Sequence, residues 1–164
     1  MTDRTRPAVR LERWLPDPPP VVWLALTESE QLRSWFPCDV IVEGGLWEVG
    51  AAITFPFPPE VIDVTLTGKV LEVDEPSVLA FSWGDEVLRF ELTPQDHGTL
   101  LVLIDELPPG AAARNAAGWD VCLDRLAGLN PARDTWRSRF DVYSAAFAPV
   151  LGPQEGPPPG YKGD

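Results

Sequence analysis

The sequence predicts an α+β domain in which a curved antiparallel sheet of about six or seven strands wraps a long C-terminal helix. Three observations carry this expectation. The stretch from Asp39 to Leu107 is rich in Val, Ile, Leu, Phe and Thr and is cut by Gly, Pro, Asp and Ser at hairpin-like distances. Past Pro108-Pro109-Gly110 the hydrophobic period changes from that of a strand to that of a helix. The chain has 164 residues, a length that suits one domain and lets it bury about 70% of the surface its unfolded form exposes.

The elements follow in order. Val9, Leu11 and Arg13 alternate with Arg10, Glu12 and Trp14, so a first strand is expected from Ala8 to Leu15. The prolines from Pro16 to Pro20 stop it, and a short helix fits Val21 to Leu26. Thr27 and Glu30 have the spacing of a capping box, which predicts a second short helix that carries Leu32, Trp35 and Phe36 inward. Breaks in the meander fall at Gly44-Gly45, Phe57-Pro58-Pro59, Asp74-Glu75-Pro76, Gly84-Asp85 and Gln95-Asp96-His97-Gly98. Between the breaks, Phe81 and Trp83 share a face, as do Leu88, Phe90 and Leu92, and as do Leu101 and Leu103.

Trp119, Cys122, Leu123, Leu126 and Leu129 form the apolar stripe of the long helix. A further stripe of Trp136, Phe140, Tyr143 and Phe147 predicts an extra amphipathic helix over about 133–148. One domain is thus expected over 8–150, with the Pro- and Gly-rich stretch 152–164 as a disordered tail.

Composition narrows the function. Hydrophobic residues make up 45% of the chain and include 7 Trp, so the interior is bulky and aromatic. A net charge of −12 and a pI near 4.4 argue against nucleic acid or an anionic membrane as partner, since both require clustered Lys and Arg. No run of about 18 apolar residues occurs, and the N-terminal charges of Met1–Pro7 precede no apolar stretch. Cys38 and Cys122 have no metal-type spacing and read as free thiols of a reducing cytoplasm. Neither Gly-rich phosphate-loop pattern is present, so no cofactor is expected. His97 is the single histidine and lies in a turn, which excludes a His-dependent triad and a His-rich metal site.

What remains is a set of rings. Trp35, Trp47, Phe55, Phe81, Trp83, Phe90 and Trp119, with Leu123 and Leu126 on the long helix, are the expected lining of an apolar cavity. The competing reading is that the rings fill the core. Strand alternation puts Asp105 on the face of Leu101 and Leu103, where a carboxyl would hold a ligand's polar end or act as an acid or base; alternatively, it lies where the strand meets water. Glu72 raises the same question with ambiguous parity.

The order of strand, two short helices, meander and long helix resembles the SRPBCC or START-like helix-grip superfamily, and within it the branch named after the activator of the heat shock protein 90 ATPase. The resemblance is carried by Val22-Trp23, Ala25-Leu26-Thr27, Leu32 and Trp35-Phe36; by Gly68 to Asp74 with Pro76; by Leu79 to Trp83; by Phe90 to Pro94; by Gly98-Thr99; and by Gly118-Trp119 leading into Leu123 and Leu126. It covers roughly 9–129 and implies a helix-grip fold with a pocket. Where many such relatives place a His on the strand after Gly-Thr, this chain has Asp105, and where many have a Gly-Gly pair it has Gly50-Ala51.

The expected function is therefore non-catalytic binding of a small apolar or amphipathic molecule in a cavity between sheet and long helix. A co-chaperone-type interaction with a chaperone or other protein is the alternative. A cyclase- or hydrolase-like activity through Asp105 or Glu72 is the third. No catalytic residue is assigned; the stripe of Trp136, Phe140, Tyr143 and Phe147 would close one end of the pocket, pack outside the sheet or form a dimer contact, so both a monomer and a homodimer are compatible.

Overall fold

The structure, a computed structural model, describes residues 6–132 and 135–156. Strand β1 (Ala8–Leu15) leads into helix α1 (Pro19–Thr27) and the single turn α2 (Ser29–Leu32). The meander then runs β2 (Ile41–Val42), β3 (Ala52–Pro56), β4 (Thr65–Asp74), β5 (Val78–Trp83), β6 (Glu86–Gln95) and β7 (Gly98–Glu106), and helices α3 (Ala112–Leu126) and α4 (Thr135–Leu151) follow. All neighbouring strands pair antiparallel in the order β1-β7-β6-β5-β4-β3-β2, a seven-stranded curved sheet.

Parity of the strands decides what faces inward. Leu79 and Phe81 of β5, Leu88, Phe90 and Leu92 of β6, and Leu101, Leu103 and Asp105 of β7 all turn to the concave face and are buried. The β6–β7 hairpin closes on Asp96 and His97, both with positive φ, which matches the right-handed strand twist and leaves His97 exposed at the tip. Two close approaches admit only glycine: a Cβ at Gly68 would sit 1.8 Å from the Ser82 carbonyl oxygen, and one at Gly98 would sit 2.2 Å from that of Leu15.

Several local expectations change. Thr27 does not cap α2; it ends α1, and its hydroxyl donates back to the Trp23 carbonyl at 2.9 Å. Helix α3 stops at Leu126 with Gly128 at φ 85°, so Leu129 leaves the predicted stripe and is exposed. The extra helix continues through Pro149 to Leu151, because a proline in the last turn removes a single backbone bond; the start of its expected range, 133 and 134, lies outside the described residues.

Residues 152–156, expected as part of a disordered tail, run along the start of α3 instead. The Gln154 side chain accepts from the Ala113 N–H at 2.8 Å and so satisfies a donor that α3 cannot satisfy itself. Composition alone does not show that cap, and the rest of the expected tail, 157–164, lies outside the described residues.

Helix α4 lies on the outer side of α3. Phe140 packs onto Ala113 and Ala117 and stacks on Trp136 with centroids 5.0 Å apart. A polar clasp adds direction: Asp124 on α3 accepts from Arg13 of β1 at 2.6 Å and from Arg139 of α4 at 2.7 Å, while Tyr143 donates to Asp120 at 2.6 Å. Burial pushes the Asp124 carboxyl up, but the hydrogen bonds from Arg139 and Arg13 prevail and hold it below the usual carboxylate range.

Candidate functional site

The chain turning out of α2 places Trp35 and Phe36 against the sheet. Trp35 meets Phe90 edge-on at 6.0 Å, Phe36 lies 5.5 Å from Trp119, and Phe81 stacks on both Phe55 and Phe90. Rings from two layers interdigitate there, and Trp35, Phe55 and Phe90 are at most 1% exposed.

Beyond Phe36 the filling stops. Between the second half of α3, the β3–β4 connection and the β5–β6 turn lies an open cleft of about 600 Å³, within the size range of small-molecule sites. The β3–β4 side contributes Phe57, Ile62, Val64 and Leu66. Trp83 at the end of β5 and Trp119 on α3 face each other across 5.3 Å, and Trp136 of α4 stands at the edge beside Gly118. The walls are mostly apolar, with Arg114 and Arg125 at the α3 side.

One end of the cleft is polar. Glu86, the first residue of β6, shares the inward parity of Leu88, and Leu88 pairs with Asp105 of β7. A diagonal neighbour of this kind is within side-chain reach. Asp105 is fully buried and accepts from the Trp119 indole N–H at 2.9 Å; Glu86 accepts from Asn115 at 2.9 Å. Their remaining oxygens, Asp105 Oδ1 and Glu86 Oε1, are buried and take no donor from the described residues outside the pair itself.

Burial first, then the charge and hydrogen bond of Glu86, push the Asp105 carboxyl from its ordinary 3.8 up to about 9, against the opposing pull of Trp119 and Arg6. Glu86 is pushed up as well, by burial. At neutral pH Asp105 therefore keeps its proton, and the like charge of a neighbouring carboxylate opposes ionisation of both groups together.

The structure separates the residues singled out from sequence into three places. Trp83 and Trp119 line the cleft, and Asp105 lies beneath it. Trp35, Phe55, Phe81, Phe90 and Leu123 are packed in the core, and Leu126 is partly buried against it. Trp47 packs on Phe81 with centroids 5.6 Å apart at the rim of the core, donates its N–H to the Thr27 carbonyl and borders a smaller hollow of about 200 Å³ with Arg33 and Val42. Glu72 is exposed and paired to Arg89 at 2.6 Å. Burial holds the thiols of Cys38 and Cys122 at about 12, so both stay protonated and unreactive.

Sequence reasoning missed Glu86, Asn115, Phe57 and Leu66, while Trp136, for which closing one end of the pocket was one of three expected roles, stands at the cleft edge. For Glu86 the signal was present, since it stands two residues before Leu88 on the same face; for the others the neighbourhood is made by chain segments distant in sequence.

A sequence profile for the family described as activator of Hsp90 ATPase homolog 1-like protein matches residues 17–130. No curated protein matches the chain at a significant level. Among solved structures, a conserved protein of unknown function from Enterococcus faecalis superposes with a TM-score of 0.76 at 23% identity, covering 90% of this chain and 88% of that one. CalU16 from Micromonospora echinospora gives 0.67 at 20% identity, covering 88% and 87%. A protein from Mesorhizobium loti gives 0.65 at 23% identity, covering 74% and 95%. At these identities the likeness is one of fold.

Proposed function

The chain belongs to the activator of Hsp90 ATPase homolog 1-like family, a membership open to ligand-binding and to co-chaperone-like modules, and we propose that this member binds a small amphipathic molecule in the cleft between α3 and the β3–β4 side of the sheet. The observation that carries the reading is the coexistence of apolar walls, about 600 Å³ of open space and a polar group at one end. The reading is non-catalytic. Asp105 is sealed beneath the cleft, Glu72 is on the outer surface, and the thiols are protonated.

The test uses N-phenyl-1-naphthylamine, a neutral apolar fluorophore, titrated into the full chain. Saturable fluorescence enhancement with quenching of tryptophan emission is expected. Gly118→Phe should abolish both while leaving the fold intact, since the new ring projects beside Trp136 and replacing a helical glycine favours the helix. Failure of the wild-type protein to bind, or binding unchanged in Gly118→Phe, overturns the assignment. Stimulation of a chaperone ATPase by a protein that binds no probe would move it to the co-chaperone class.

A further inference from the structure

We propose that Glu86, backed by the buried Asp105, forms the recognition end of the cleft and takes the ammonium group of an amphipathic amine. This rests on the cleft being a ligand site and adds the chemical class of the ligand.

The argument begins with cost. Burying a carboxyl group is unfavourable unless its oxygens are satisfied, and burying two side by side is worse. If the only task at this place were to join β6 and β7 to α3, an apolar pair would do it better. Instead, Asp105 is fully buried in the middle of three strands, between Val9 of β1 and Leu88 of β6, and it is oriented by the Trp119 N–H. Glu86, beside it, reaches the cleft wall and is oriented by Asn115. Each carboxyl has one oxygen fixed by a donor from α3, and the other oxygen of each is buried and takes no donor from the described residues outside the pair itself. Such paired orientation is what a recognition group requires.

Charge selects the ligand class. With Asp105 keeping its proton at neutral pH, Glu86 is the carboxyl of the pair available to carry charge at the inner end of an apolar cleft. The charged groups facing it are Arg6 from the start of β1, Asp85 from the β5–β6 turn and Arg114 from α3. Arg114 acts on Glu86 by charge alone, its guanidinium lying 3.5 Å from Glu155 and donating to the Gly156 carbonyl at 3.1 Å. Among the described residues, no Lys or Arg makes an ion pair with Glu86 or Asp105. A ligand ammonium gains a charge-assisted hydrogen bond to Glu86 that an alcohol of the same length does not, and a carboxylate is repelled.

Three probes of equal chain length separate the possibilities: decylamine, decanol and decanoic acid, each measured by displacement of N-phenyl-1-naphthylamine at about neutral pH. Decylamine is expected to bind at least about tenfold more tightly than decanol, with decanoic acid weakest. In Glu86→Gln and in Asp105→Asn, which keep side-chain shape, the amine preference should fall to within about threefold while decanol binding persists. Glu72→Gln on the outer face should change neither. Decanol binding without amine preference overturns this inference and leaves the cleft a ligand site; no binding by any of the three overturns both. A full amine preference retained in both carboxyl variants likewise overturns the role of the pair.

Discussion

The two halves of the concave face are built from the same kind of residue and end in opposite states. At the Phe90 half, rings from the sheet meet Trp35 and Phe36 delivered from behind α2, and no space remains. At the Trp83 half, the sheet presents rings of the same type, but Phe36, Phe57 and Trp119 border Trp83 without filling the space up to Trp136, so a cleft persists. A ring on an inward strand position thus becomes core or site according to what the opposing layer brings to it. Strand parity sets the direction of a side chain, and the opposing layer sets its fate.

The contrast can be broken most severely from the sealed side. Phe90→Ala removes a ring with neighbours on every side and should cost about 3–5 kcal/mol in chemical denaturation, with probe binding retained by the molecules that remain folded. The next effect comes from the clasp that hangs α4, and with it Trp136, on α3. Asp124→Ala frees two arginines and should cost about 1–3 kcal/mol; because Trp136 borders the cleft, probe affinity should weaken too, which no change at Phe90 should do.

The smallest effect separates the halves by pH. Because the Asp105 carboxyl titrates at about 9 in the folded chain and near 3.8 when unfolded, the folded state holds the extra proton between these values. Its contribution to stability is complete below about 4 and declines as pH rises towards about 9. Melting temperature should fall by a few degrees between about pH 6 and pH 7, given about 1.4 kcal/mol per pH unit for one proton and roughly 2–4 °C per kcal/mol at this size, and Asp105→Asn should flatten that decline. An equally steep decline in the variant would show that the wild-type slope has another source.

How much of this was legible in the sequence follows the same division. Alternation alone places Leu88, Phe90, Leu92, Leu101, Leu103 and Asp105 on one face, and the Gln95–Gly98 turn fixes the β6–β7 register, so the sheet could be read residue by residue. The Trp119, Cys122 and Leu123 stripe likewise places α3. Thr27 was misread because a hydroxyl at a helix end can bond backward to the previous turn as well as forward to the next helix. The cleft was legible only at Trp83 and Trp119. Inward rings such as Phe90, in the sealed half, and Trp83, in the open half, are indistinguishable in pattern. The deciding facts, the reach of the chain after α2 and the stand-off of residues 57–64, are properties of connections whose shape periodicity does not encode.

The crossing of β4 over Ser82 has a bearing on descent as well as on packing. At Gly68 a single added carbon would collide with main chain, which cannot turn aside as a side chain can. Every coding change away from glycine brings that carbon with it, whatever the rest of the new residue. The position is therefore closed to drift, while the cleft walls are lined by side chains that can exchange size and shape. A lineage of this fold can reshape its cleft without renegotiating how its sheet is held together.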